Sequence, residues 1–299
     1  MFTNQRLTEA YLKAPIKHFD RNSKFIFFSD MHRGDDSISD EFTRNQTLML
    51  CALRYYYDRG YTYIEVGDGD ELWEYKHFKY IRAAHTDIFT VLKAFFDDHR
   101  FIMLYGNHNI FLKDHNYVAK HYYHFYDQYK DKIMPLLDHI EPLESLILMH
   151  RQTGQKILVV HGHQGDLFND HLWPVSMFFL RYLWRFIHVV GFKNPSSPAR
   201  NYHKRHKVEK QYNKWIQKYK IMLICGHTHR SKFPKKGHLP YFNTGCCIHS
   251  KGLTGIEIIN DEIMTIQWRM LADQNGFVKI KRQVIRGPEP IFHFDLRHI

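Results

Sequence analysis

The sequence predicts an α/β sandwich of mixed β-sheets with helices on the outside, and three patterns support this prediction. Five short apolar runs end in polar turns, as buried strands do: 24–29, Thr62–Val66, 101–105, Lys156–Val160 and 221–225. Helical patterns cover 40–59, with a cap at Ser39 or Asp40 and a stop at Gly60, and 86–99. Two hairpins are indicated, one from Ser145–His150 and Lys156–Val160, the other from 255–259 and 264–270.

Composition limits the class and the location of the protein. The 299 residues are 44% hydrophobic, enough for one large core, and the net charge of +11 favours partners that carry phosphate. The first residues form no apolar signal run, and no stretch is uncharged over the length of a spanning helix. The four cysteines (Cys51, Cys225, Cys246 and Cys247) form no CxxC pair, so we expect reduced thiols in a cytoplasmic protein.

Most of the positive charge lies in one segment. Between His171 and Lys220 there are eleven Lys and Arg residues and one acid, Glu209, so this segment carries 11 − 1 = +10. We therefore predict a single domain over residues 1–299 that contains a basic, aromatic helical insertion at 167–220.

Metal-binding side chains follow each of the five predicted strands. The carboxyl ends of strands in an α/β sheet gather distant residues into one crevice. Carboxylate, amide and imidazole ligands suit Mn, Fe or Zn, and two such ions can hold a phosphoryl group and a bridging hydroxide for in-line attack. We predict two divalent ions, with Mn²⁺ expected first and Fe or Zn as alternatives. One ion is assigned to Asp30, His32 and His229, the other to Asn107, His161 and His227, and Asp68 bridges them.

In order, the motifs DxH, GDxx[DE], GNH, H and GHxH resemble the signature of the calcineurin-like metallophosphoesterases, and they span residues 30–229. The resemblance implies a four-layer α/β/β/α sandwich with two mixed sheets. It also implies that the seven residues named above are the metal ligands. His108 matches the histidine that donates to the phosphate oxygen or the leaving group, and Glu71 matches the last position of GDxx[DE].

The sequence departs from this pattern after GNH, where the family usually has Asp or Glu and this chain has Asn109. An amide can orient an imidazole but cannot stabilise its cation as a carboxylate does. The sequence leaves open whether Asp70 or Asp114 replaces the missing acid.

The insertion contains a stripe of Arg181, Arg185 and His188 among large apolar residues in 174–192. Such a helix suits a membrane interface or a lid over a lipid-bearing anionic substrate, and the alternative is an ordinary packed helix with arginines reaching outward. At 203–220 a Lys-rich helix with a solvated face is expected. With GDGDELWE, the insertion resembles the UDP-2,3-diacylglucosamine pyrophosphohydrolase branch, whose members cleave a nucleotide–lipid pyrophosphate at the inner membrane face. That branch has Arg where this chain has His108.

These patterns predict hydrolysis of a phosphoanhydride or phosphodiester in an amphiphilic, nucleotide- or lipid-linked substrate, by a cytoplasmic protein that contacts the anionic inner membrane surface. The predicted substrate contacts are Arg33, Asn109, Arg181 and Arg185. One alternative is a nucleotide or nucleic-acid phosphodiesterase, in which the basic segment grips the backbone and Trp215 stacks on bases. A protein phosphatase or a non-catalytic scaffold of the same fold is less favoured.

Overall fold

Two mixed β-sheets lie face to face at the centre of the structure. The computed structural model describes residues 2–166, 173–179, 181 and 202–298. The strands are β1 (Ile16–Phe19), β2 (Phe25–Phe28), β3 (Thr62–Val66), β4 (Phe101–Leu104), β5 (His124–Asp127), β6 (Lys132–Pro135), β7 (Ser145–His150), β8 (Lys156–Val160), β9 (Met222–Cys225), β10 (Tyr241–Asn243), β11 (Leu253–Ile259), β12 (Glu262–Ala272) and β13 (Val278–Pro290).

The helices connect and flank these strands. They are α1 (Phe2–Lys13), α2 (Gln46–Asp58), α3 (Phe78–Ala84), α4 (Thr86–Asp97), α5 (His115–Tyr122), α6 (Trp173–Phe179) and α7 (Tyr202–Tyr219). Short 3-10 helices occupy Thr43–Asn45, Ile110–Lys113, Ile291–Phe294 and Leu296–His298.

One sheet has five strands in the order β1-β7-β8-β9-β10, and the other has six in the order β13-β12-β11-β2-β3-β4. The neighbours β8/β9 and β2/β3/β4 are parallel, whereas β7/β8 and β11/β12/β13 are antiparallel. Both predicted hairpins are therefore confirmed, and both sheets are mixed.

Side-chain alternation along the strands builds the layers. In β2, Phe25 and Phe27 face the second sheet, while Ile26 and Phe28 face the helices α2 and α4. On the far side of the five-stranded sheet, α1 and α7 cover a third apolar cluster. The order helix, sheet, sheet, helix confirms the predicted four-layer sandwich.

The predicted helix at 40–59 begins later than expected. A 3-10 turn covers Thr43–Asn45, and α2 starts at Gln46. Asp40, which with Ser39 was one of two expected caps, instead accepts hydrogen bonds from the backbone N–H of Asp36 and Phe42 and pairs with His85 Nε2 at 2.9 Å. Its carboxylate therefore orders the loop before the helix.

The Lys-rich helix α7 has two faces. Tyr212, Trp215 and Ile216 are fully buried against the five-stranded sheet, and Lys207, Lys210, Lys214 and Lys218 are exposed. The basic face is solvated, as predicted. The apolar face packs on the five-stranded sheet, so α7 and α1 together form one outer layer of the sandwich. Trp215 donates to Thr8 Oγ1 and is not available to stack on a base, which removes one argument for the nucleic-acid alternative.

Much of the predicted lid, including Arg185 and His188, lies outside the described residues. Among the helices that the structure does describe, none has the length and apolarity needed to cross a membrane. All four cysteines are free thiols, and Cys225, Cys246 and Cys247 are buried.

Candidate metal centre

The structure brings six of the seven predicted ligands together in two groups at one end of the two sheets. Asp30, His32 and His229 form one group, and Asp68, His161 and His227 form a second; within each group the ligand atoms lie within 4.8 Å of one another. Asp68 Oδ2 lies 2.9 Å from His161 Nε2 and 4.0 Å from His32 Nε2, so this carboxylate stands between the groups. The six-stranded sheet supplies Asp30, His32, Asp68 and Asn107, and the five-stranded sheet supplies the other three.

Several polar atoms of the predicted ligands are buried and make no hydrogen bond of normal geometry, although Asp30 Oδ1 lies 3.1 Å from His229 Nε2 and His161 Nε2 lies 2.9 Å from Asp68 Oδ2. In the described part of the chain they include Asp30 Oδ1, Asn107 Oδ1, His161 Nε2 and His227 Nε2. Buried polar atoms are nearly always paired, and each one left unpaired costs about 1–3 kcal/mol. Four such electron-pair donors in one place fit the ligand shell of divalent cations.

Three of the predicted ligands are oriented by hydrogen bonds on the side that faces away from the centre. His32 Nδ1 lies 2.8 Å from Glu71 Oε2, and His161 Nδ1 lies 2.9 Å from the Val66 carbonyl oxygen. Because both partners only accept, Nδ1 must donate, and in the neutral ring Nε2 then carries the lone pair that a metal ion would bind. Asp68 behaves similarly, since its Oδ1 accepts the His108 N–H at 2.8 Å and leaves Oδ2 for the centre.

The backbone of the centre is strained. Five of the seven predicted ligands have φ between 49° and 66°, a region that non-glycine residues rarely adopt; they are Asp30, His32, Asp68, His227 and His229. Each costs on the order of 1–2 kcal/mol and persists only where the surroundings enforce it. Gly106 is needed for space, because a Cβ there would overlap Asp68 Oδ1 and lie 2.7 Å from His161 Cδ2.

In the centre, neighbouring carboxylates and imidazoles shift the pKa values of Asp30 and His32. Burial alone would raise the pKa of Asp30, but the nearby His229 outweighs it and lowers this pKa to about 2. Burial is the largest single influence on His32 and would lower its pKa, but the hydrogen bond to Glu71 and the charges of Glu71, Asp68 and Asp30 together outweigh it and raise this pKa to about 9. Protons and metal ions therefore compete for the same imidazole nitrogens.

Glu71 connects a predicted ligand with the predicted catalytic histidine. Its Oε2 lies 2.8 Å from His32 Nδ1 and 2.6 Å from His108 Nδ1. The second contact has the distance of an ion pair but not the angle of a hydrogen bond. Burial raises the pKa of Glu71, yet His108 and His32 lower it to about 2. The ring of His108 stacks on Trp73, with centroids 4.4 Å apart and an interplanar angle of 27°.

Comparison with known proteins gives a fold-level likeness only. No protein-family model and no curated protein match the sequence. The chain is similar to a predicted phosphoesterase from Streptococcus pneumoniae (13% identity, 88% of this chain and 97% of that one, TM-score 0.34). It is also similar to vacuolar protein sorting 29 from Cryptosporidium parvum (11% identity, 90% of this chain and 100% of that one, TM-score 0.41). A third similar structure is a cold-active protein-tyrosine phosphatase of Shewanella sp. (12% identity, 91% of this chain and 83% of that one, TM-score 0.42). Conclusions about chemistry therefore rest on the centre itself.

Asn109 does not take the place of the missing acid. It is fully buried, and its Oδ1 accepts the Gly106 N–H at 2.6 Å, so it shapes the turn and is closed to a substrate. Neither candidate substitute lies beside His108: Asp70 pairs with Arg33, and Asp114 caps α5 through the Asn116 N–H. The carboxylate that lies beside His108 belongs to Glu71, three residues after Asp68 in the chain.

Arg33 is also buried instead of facing a substrate. Its guanidinium is fully buried, with Nη1 and Nη2 each 2.9 Å from Glu65 oxygens and Nε 2.7 Å from Asp70 Oδ1. Arg33 was predicted to contact the substrate, and the structure does not support this contact. Its N–H groups donate to Glu65 and Asp70 beneath the loops that carry His32 and Asp68.

Arg181 contacts the loop beside His108. Its Nε and Nη2 donate to the carbonyl oxygens of Trp73 and Leu72, both at 2.8 Å. Trp173 in α6 packs edge-on against Phe111, with centroids 5.4 Å apart. The described part of the insertion is thus anchored to the loops on either side of His108, and Arg181 acts here as an anchor.

Two residues near the centre were not predicted from the sequence. Trp73 stacks on His108, and Asp166 Oδ2 lies 3.9 Å from His227 Nε2. The signal for Trp73 was its place in GDGDELWE, and that for Asp166 was an acid five residues after His161 in HGHQGD.

Proposed function

We propose that this chain is a metal-dependent phosphoesterase that hydrolyses a phosphodiester or phosphoanhydride bond. The observation that carries the proposal is the convergence of two groups of carboxylates and imidazoles, in which Asp30 Oδ1, His161 Nε2 and His227 Nε2 are buried and make no hydrogen bond of normal geometry. Asp30, His32 and His229 would hold one ion, Asn107, His161 and His227 the other, with Asp68 between them. Mn²⁺ is our first expectation, with Fe or Zn as alternatives.

Two bound divalent ions would polarise the phosphoryl oxygens and lower the pKa of water at the centre. The chain supplies the rest of the machinery. His108 is the proposed proton donor to the leaving oxygen, because it lies beside the centre and its side chain is 20% exposed. Glu71 stabilises the charged ring, and Trp73 fixes the ring plane.

The proposed substrate is amphiphilic and nucleotide- or lipid-linked, as in a pyrophosphohydrolase of nucleotide–lipid conjugates, and the proposed location is the cytoplasmic face of an anionic membrane. Support comes from the apolar and basic sequence of 174–192 and from two apolar side chains of α6, since Val175 and Phe178 are 50% and 59% exposed. Arg185 is proposed to contact the substrate phosphate on sequence grounds alone.

Three other functions are less favoured. A nucleotide or nucleic-acid phosphodiesterase would use the exposed lysines of α7 but lacks the stacking role of Trp215. No feature favours a protein phosphatase. A non-catalytic scaffold would not need the six predicted ligands that the structure brings together.

Metal content tests the proposal directly. Protein purified without chelator should carry about two Mn, Fe or Zn per chain, and it should turn over one class in a Mn²⁺ screen of nucleotide–lipid pyrophosphates, cyclic nucleotides and phosphomonoesters. Asp68→Ala should carry fewer ions. Less than one ion per chain, with Asp68→Ala equal to the wild type, would exclude the proposal.

The substrate class needs a separate test. Replacing Phe179, Trp184 and Ile187 together by Ser should raise KM for acylated substrates and weaken binding to anionic liposomes, but leave a small soluble phosphodiester unaffected. Circular dichroism melts control for unfolding. Equal loss on both substrates would end the lid proposal, and single-strand affinity that falls steeply with salt would favour the nucleic-acid alternative.

A further inference from the structure

A cavity lies between α7, the loop after β9 and the β12–β13 pair. Its volume is about 530 Å³, the size of a small-molecule pocket. The loop after β9 supplies Arg230, Lys232 and Phe233, and the β12–β13 pair supplies Thr265 and Arg286. Arg230 follows the predicted ligand His229 directly in the chain, but none of the predicted metal ligands lines the cavity.

The charge of this cavity is positive and only partly balanced. Lys232 Nζ lies 2.8 Å from Glu209 Oε2, and these two charges offset each other. Arg230 and Arg286 are exposed and form no ion pair with the residues that the structure describes. Two guanidinium groups therefore face the cavity without a carboxylate partner.

The wall between these arginines contains a buried donor without a partner. Thr265 is 1% exposed, and within the described chain its Oγ1 makes no hydrogen bond. The pairing of β12 with β13 is irregular on both sides of Thr265, where it lies opposite Arg286. Such bulges redirect side chains at functional sites, and a buried hydroxyl left unpaired calls for a ligand that accepts its hydrogen bond.

The remaining wall is apolar. The ring of Phe233 is held edge-on by Phe242 and Phe294, at centroid distances of 5.0 and 5.8 Å, and Ile285 lies on the same cavity. A cavity with cationic donors on one wall and a fixed aromatic ring on another suits an organic molecule that carries phosphate.

We propose that this cavity is a second binding site for a phosphorylated small molecule, with Arg230 and Arg286 as the phosphate clamp and Thr265 as a hydrogen-bond donor. Guanidinium groups bind phosphate through paired, charge-assisted hydrogen bonds. The site is distinct from the metal centre, and ligand binding there needs neither ions nor hydrolysis.

Calorimetric titration of metal-depleted protein with methylenediphosphonate tests the site, because this diphosphate analogue is not hydrolysed. One equivalent should bind, and Arg230→Gln and Arg286→Gln should each raise the Kd by about tenfold or more. Thr265→Val, which keeps the shape of the side chain, should weaken binding by a few-fold. Lys281→Gln, on the same strand as Arg286, is the matched control and should bind as the wild type does.

Two further measurements make the result decisive. Tighter binding of adenosine 5′-(α,β-methylene)diphosphate than of methylenediphosphonate identifies an organic phosphate, and equal affinity identifies the phosphate group alone as the ligand. Absence of binding, or binding that survives both arginine changes, would overturn the proposal. Because the assay uses metal-depleted protein, failure of the proposed hydrolysis at the metal centre would not change its outcome.

Discussion

Replacing Arg33 by Met tests whether this arginine supports the metal centre or binds substrate. The substitution keeps an apolar chain of similar length but removes three charge-assisted hydrogen bonds, two to Glu65 and one to Asp70. At about 1.5 kcal/mol each, the loss is about 4.5 kcal/mol, within the range of about 3–5 kcal/mol for breaking a buried ion pair. Tyr63 and Tyr122 still donate to the two carboxylates and keep the cost from rising further.

Urea unfolding of metal-depleted protein, followed by circular dichroism, measures this loss as a change in the free energy of unfolding. Lys93→Ala serves as control, since its partner Asp97 is 53% exposed and the pair should contribute less than about 0.5 kcal/mol. The reasoning is refuted if Arg33→Met is as stable as the wild type. If KM alone then rises, Arg33 binds substrate.

Three other predictions concern the centre. His108→Ala should keep its metal ions and lose about 10²–10⁴-fold in kcat, measured on the preferred substrate with metal content as control. Glu71→Gln should weaken ion binding by about 10–100-fold and also lower kcat, whereas Asp114→Asn, which preserves the cap of α5, should match the wild type in both. Removing the ions with chelator should lower the Tm, and adding Mn²⁺ at about one hundred times its Kd should restore about 2.7 kcal/mol of stability for each bound ion; an unchanged Tm would contradict the ligand assignment.

The sequence was a good guide to the strands and the ligands because both depend on local pattern. Apolar runs ended where β3 and β8 end, and the polar residues at those ends converge because the two sheets that contain these strands pack face to face. The partners of the ligands depend on side chains that meet only in the folded chain. Glu65 did indicate one such partner in the sequence. A charged residue on the helix-facing side of β3 needs a buried cation, and Arg33 is that cation.

Two other features could not be predicted from the sequence: the buried face of α7 and the left-handed backbone of the centre. In α7 the apolar residues Tyr212, Trp215 and Ile216 fall at helical spacing, but among the surrounding lysines the sequence predicted the solvated face of this helix and not its buried one. The left-handed backbone at five ligands had no local signal, because Asp and His carry no requirement for positive φ.

The two sheets meet at the metal centre, and this has a mechanical consequence. Ligands from the six-stranded sheet face ligands from the five-stranded sheet, and the outermost of them, Asp30 and His229, are 229 − 30 = 199 positions apart in the chain. Ions held there would act as a cross-link between the halves of the sandwich. The loaded protein should therefore unfold as one unit, and during synthesis this cross-link can form only after β9 has been made.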